Sequence, residues 1–68
     1  MQYNELKFGI KLKQLRLSAN LSQSKLAENS GFHKAAINRW ESKGGNPSIK
    51  TLNKLAKALD IDFVEFFK

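Results

Sequence analysis

A recurrent spacing constrains this chain more than any other feature. Four times, two apolar residues stand five apart around a position where a helix would begin. They are Leu21 and Leu26 around Ser22, Phe32 and Ile37 around His33, Pro47 and Leu52 around Ser48, and Ile61 and Phe66 around Asp62. In a hydrophobic staple the residue before the N-cap packs against the fourth residue of the helix, which is this spacing. Serine and aspartate accept hydrogen bonds from the first free amides of a helix; histidine is a poor cap. Asp62 and Glu65 also form a D-x-x-E variant of the capping box. The staples therefore predict helices at about 23–29, 34–42, 49–59 and 63–67.

Ahead of them, Phe8, Leu12, Leu15 and Ala19 recur at i, i+4, i+7 and i+11 on one helical face. They predict a first helix over 4–19, closed by Asn20, which tolerates the left-handed backbone better than other non-glycine residues. Lys7, Lys11 and Lys13 lie off that face, and Gly9 lowers the helix propensity. Leu6, Ile10 and Leu17 make a second apolar set, whose expected partner is the C-terminal helix or another subunit. In the fourth helix Leu52, Leu55, Ala56 and Leu59 face inward, and Lys50, Lys54 and Lys57 outward. Lys43-Gly44-Gly45-Asn46-Pro47 is a loop by turn chemistry. The expectation is an all-α chain: a compact five-helix bundle forming a single domain over 1–68.

Within that frame, QSKLAENSGFHKAAINRW, residues 23–40, reads as two short helices joined by a tight turn. Leu26 and Ala27 face inward on the first, Ile37 and Trp40 on the second, and Gly31 supplies a left-handed residue just past a helix end. Ala27 leaves room for the second helix to come close. This is a helix-turn-helix, a motif whose second helix lies in the DNA major groove.

Composition agrees. The chain has 12 Lys and Arg against 6 Asp and Glu, and residues 1–57 hold 11 of the former and 3 of the latter. A basic body with an acidic end fits a polyanion on one surface, although charge alone would equally serve solubility. A core of this size is marginal without tight helix packing. With no cysteine there is no disulfide and no thiolate zinc site. One histidine and scattered carboxylates assemble no catalytic or metal constellation, so neither an enzyme, a metal nor a cofactor is expected. No signal peptide or apolar run long enough to cross a bilayer is present, which points to the cytoplasm.

Four segments, FGIKLKQLR, LSQSKLA, INRWE and NPSIKTLNKLAKAL, stand in the order and spacing of one known family. Through them the chain resembles the DNA-binding domains of the lambda Cro/CI and 434 repressor superfamily, the XRE family. Three positions depart from it: His33 where a Ser or Thr usually caps the recognition helix, Ala36 for a frequent Thr, and Lys43 for a usual Gly. The resemblance implies that Arg16 of the first helix pairs with Glu41 at the end of the recognition helix, fixing it to the scaffold. It also implies that Gln23 approaches the DNA backbone.

With Ile37 and Trp40 turned inward, the opposite face of helix 34–42 carries Lys34, Ala35, Asn38 and Arg39. Arg39 and Lys34 suit guanine, Asn38 suits adenine, and Ala35 suits a thymine methyl group. Ser22, Gln23, Lys43, Asn46 and Ser48 are the expected phosphate contacts, with Ser22 and Ser48 alternatively serving only as caps. Phe63, Phe66 and Phe67 are too many to bury in so small a monomer, and Val64 or Phe67 offers a dimer contact. A membrane-surface role for this last segment is opposed by its acidic residues. The reading is a sequence-specific, double-stranded DNA-binding transcriptional regulator of bacterial or phage type. It would be a dimeric repressor or autoregulator on a near-palindromic operator. The alternatives are an antitoxin that binds both DNA and a toxin, and a helix-turn-helix used for protein contacts.

Overall fold

The computed structural model describes the backbone of residues 5–68 and side chains from Lys7 onward. The expected helix start at Asn4 and the Leu6 side chain lie outside the described residues. Four α-helices follow in order: α1 (Glu5–Ser18), α2 (Gln23–Ser30), α3 (Lys34–Lys43) and α4 (Ile49–Leu59). α2 and α4 begin at side-chain caps, and left-handed residues close three of the helices. Ser22 accepts from the Lys25 amide and Ser48 from the Thr51 amide, the usual N-cap geometry. Asn20 closes α1 with φ 60°, and Gly31 closes α2 with φ 79° while its amide donates to Ala27. Asp60 closes α4 in the same left-handed region.

His33 stands at the N-cap of α3 without a side-chain cap bond. Replacing it with serine should raise the unfolding free energy by about 1 kcal/mol in a denaturant titration, since a hydroxyl there reaches an unsatisfied amide. An unchanged midpoint would mean that the first amides of α3 are already satisfied in solution.

The fifth element is not the α-helix that the capping pattern predicts. Phe63–Phe67 is a 3-10 helix, so the described residues form four α-helices and a tight C-terminal turn rather than five helices. Here the amides of Glu65 and Lys68 reach back three residues, to Asp62 and Glu65. The Asp62 carboxylate accepts from Val64, two residues on, which draws the first turn tighter than an α-helical cap would. Glu65 does not complete a capping box; its carboxylate accepts from Lys68 at 2.8 Å. Segments this short favour 3-10 geometry.

The core is built from Phe8 and Leu12 of α1, Leu26 and Ala27 of α2, Ile37 of α3, four residues of α4, and Phe66. Those four are Leu52, Leu55, Ala56 and Leu59, the whole predicted inward face. Three ring contacts run through it: Phe32 to Trp40 at 5.2 Å, Trp40 to Phe8 at 6.0 Å, and Phe8 to Phe66 at 6.0 Å. They tie the turn before α3 to α1 and to the C-terminal segment, in the edge-on and tilted geometries that aromatic pairs prefer. Ile10 and Leu17 are about half exposed and contribute nothing to this core.

The end of α3 packs tightly against α1 at Gly9, which is buried. A β-carbon there would collide with the Trp40 carbonyl oxygen and lie 3.3 Å from the Gly44 α-carbon. Gly44 caps α3 with φ 76° and ψ −162°, a backbone state essentially confined to glycine. α3 continues through Lys43, and Gly44 makes the stop.

Candidate nucleic-acid interface

An eight-residue helix, a left-handed glycine and a ten-residue helix place α3 across α2 with one face free. Ile37 is fully buried and Trp40 half-buried, so α3 packs through them. On the opposite side Lys34, Ala35, Asn38 and Arg39 are all exposed. Lys43, at the end of the same helix, is exposed as well. Three cations therefore lie along one short helix. Its single carboxylate, Glu41, is turned away from solvent with a side chain only 4% exposed.

Glu41 is held by Arg16. The Arg16 Nε donates to Oε2 at 2.7 Å and Nη2 donates to Oε1 at 3.0 Å, a two-pronged bond between α1 and the end of α3. The remaining guanidinium nitrogen, Nη1, donates to the Leu21 carbonyl at 2.8 Å, which fixes the turn into α2 as well. The hydrogen bond to Glu41 holds the Arg16 pKa above its ordinary value, with their charge attraction adding to it and the cost of burial opposing it.

From this pair a chain of hydrogen bonds leads outward. Gln23, the first residue of α2, donates from Nε2 to Glu41 Oε1 at 3.2 Å. Its Oε1 then accepts from Asn38 Nδ2 at 3.3 Å. A buried ion pair thus orients a half-buried glutamine, and the glutamine orients an exposed asparagine on the free face of α3. Sequence reasoning did not find this link. Gln23 and Asn38 are fifteen residues apart and nothing in their spacing announces it.

The flanking polar residues divide by what already occupies them. Ser22 and Ser48 are exposed but spend their hydroxyls on capping, and Ser48 also bonds to the Thr51 hydroxyl. Asn46 is exposed in the loop between α3 and α4. Gln23 has both ends of its amide engaged, which leaves its second Nε2 hydrogen and the unpaired backbone amides of the first turn of α2 to meet an anion. Val64 and Phe67 are exposed on the C-terminal 3-10 helix, at 44% and 51%.

A helix-turn-helix family model matches residues 12–66. The chain is 37% identical over 65 residues to the HTH-type transcriptional activator BcrR of Enterococcus faecalis, covering 96% of this chain but 29% of that protein. It therefore spans under a third of that relative's length. Among solved structures it is similar to the restriction-modification controller protein C.AhdI from Aeromonas hydrophila. The TM-score is 0.84 at 40% identity, covering 91% of this chain and 94% of that one. It is also similar to C.Esp1396I bound to a 25 base pair operator site, with a TM-score of 0.85 at 28% identity over 98% of this chain and 88% of that one.

Proposed function

Because the chain belongs to the helix-turn-helix family, we propose that it is a sequence-specific DNA-binding transcriptional regulator that reads the major groove with α3. The observation that carries this reading is the free face of α3. Four exposed side chains suited to base edges project from a helix whose other face is locked by Ile37, Trp40 and the buried Arg16–Glu41 pair. Such a face holds its register while it meets DNA.

Arg39 is assigned to a guanine, through two donors matched to O6 and N7, and Lys34 to a second guanine. Asn38 is assigned to an adenine, with Gln23 setting the plane of its amide. Ala35 sits against a thymine methyl group. Phosphates are met by Lys43, Asn46, Ser22 and Ser48 and by the first turn of α2 at Gln23; these contacts position the protein and carry no sequence information.

One helix of this length reads too few bases to be selective, so the working form is a homodimer with Val64 and Phe67 at its interface. Two-fold symmetry then requires a near-palindromic operator with half-sites about 34–36 Å apart. The 25 base pairs held by the similar C.Esp1396I give room for two such half-sites, at about 10.5 base pairs per turn. The regulator is read as a repressor or autoregulator, although its relatives run from a transcriptional activator to restriction-modification controllers.

Selection of duplexes from a randomised pool at about 150 mM salt tests this. Enrichment of an inverted repeat is the expected result. Binding with no enriched motif would reduce the interaction to its phosphate component and remove the regulator reading. Arg39→Ala should then weaken binding to the selected site by about 1–3 kcal/mol and relax preference at one base per half-site. Its melting temperature should stay put, because Arg39 is exposed. Equal binding by the variant would move base reading away from the middle of α3.

A further inference from the structure

Ile10 and Leu17 are apolar residues of α1 that the core does not claim. They remain 51% and 55% exposed with the C-terminal segment in place, so that segment does not cover them. At about 100° of rotation per residue, they share the face of α1 opposite Phe8 and Leu12, which are fully buried. Lys13 and Gln14 lie between them on that face and are exposed as well. Ile10, Lys13, Gln14 and Leu17 thus stand at i, i+3, i+4 and i+7, the seam that one helix offers to another. Its apolar ends are about 10.5 Å apart along the axis, with a cation between them.

Exposure alone does not say what covers this face; its charge does. From Lys7 to Ser18, α1 carries Lys7, Lys11, Lys13 and Arg16 and no carboxylate. Arg16 is spent on Glu41, and Lys13 has no ion-pair partner among the described residues. A second copy of α1 is a poor occupant. Packed on this seam about a two-fold axis, parallel or antiparallel, Lys13 meets its own symmetry mate at the centre, and like charges repel there. Two half-exposed side chains split by a lysine are also a narrow seat for a lipid surface.

We propose that this face of α1 is a second docking surface, separate from α3, for an amphipathic helix of another protein that carries a carboxylate between two apolar side chains. The apolar pair seats against Ile10 and Leu17, and the carboxylate accepts from the Lys13 ammonium. Such an association takes its strength from the buried apolar ends and its choice of partner from the charge between them. The inference needs no DNA contact, so it stands or falls apart from the reading of α3.

The probes are two fluorescein-labelled synthetic helices of three heptads, with leucine at each a position and either glutamate or lysine at each d. In fluorescence anisotropy with the full chain at about 150 mM salt, the glutamate helix should bind at least about tenfold tighter than the lysine helix. Ile10→Ser with Leu17→Ser leaves the charge of the protein unchanged and alters no core residue. Its melting temperature should hold while binding of the glutamate helix falls about tenfold or more. Lys13→Glu should invert the preference between the two helices. Absence of binding overturns the proposal, and so does equal binding by the serine variant, because general attraction to a basic protein would then suffice. Sedimentation equilibrium and vesicles of anionic phospholipid test the other two occupants. A smaller assembly in the serine variant would give the face to a second copy, and loss of vesicle binding in that variant would give it to a lipid surface. Either result also overturns the proposal.

Discussion

Glu41→Ala should lower the unfolding free energy by about 3–5 kcal/mol. The reason lies in what the substitution leaves behind rather than in what it removes. Arg16 is 8% exposed and keeps its charge at every working pH, so without Glu41 a guanidinium remains buried with only the Leu21 carbonyl as partner. Domains of this length have roughly 3–10 kcal/mol of stability in all. The loss is therefore a large share of the total, and corresponds to a drop on the order of 15 °C or more in melting temperature. Thermal melts followed by circular dichroism read it directly. A variant that melts within two or three degrees of the wild type would show the pair to be solvated and worth little.

Replacing both partners separates structure from function. Arg16→Met with Glu41→Leu removes the buried charge as well as its partner, and so should recover much of the lost stability. It cannot recover the bond from Gln23 to Glu41. In the double variant Gln23 loses its anchor, Asn38 loses its orienting partner, and preference for the base assigned to Asn38 should weaken while the fold survives.

Which of these features the sequence made legible follows from the range of the forces involved. The helix starts were local: a cap residue and two apolar residues five apart lie within one turn of chain, and Ser22 and Ser48 cap where their chemistry requires. The same local pattern could not distinguish an α-helix from a 3-10 helix at Phe63–Phe67. Both begin with a capped turn, and the choice rests on a few backbone bonds and on seating Phe66 in the core. Arg16 and Glu41 are twenty-five residues apart, and only the resemblance to a known family connected them. Nothing connected Gln23 to Asn38, because that bond exists only once α1 has fixed Glu41 beneath both. The free face of α3 was legible because it is the complement of a buried one, and Ile37 and Trp40 declare the buried one by their spacing.

Gly9→Ala makes the sharpest contest between local preference and packing. In the interior of a helix, alanine is favoured over glycine by about 1 kcal/mol, so propensity alone predicts a more stable protein. The structure predicts the opposite, a loss of about 2–3 kcal/mol. The added β-carbon would run into the Trp40 carbonyl, a backbone atom that no side-chain rotation can move, with the Gly44 α-carbon close behind it. Relief requires α1 and the end of α3 to part, and that strains Gly44, the Phe8–Trp40 contact and the Arg16–Glu41 bond together. Gly31 is a glycine for a different reason: its φ is 79°, and a β-carbon there would meet nothing within 4 Å, so its requirement is conformational and not spatial. Urea titration followed by the fluorescence of Trp40, the chain's single tryptophan and itself part of the contact, measures the outcome. A lower midpoint with an altered native emission places the stress at this junction. A higher midpoint would mean that α1 stands further from α3 than the structure shows, and the seating of the recognition helix would have to be rebuilt from there.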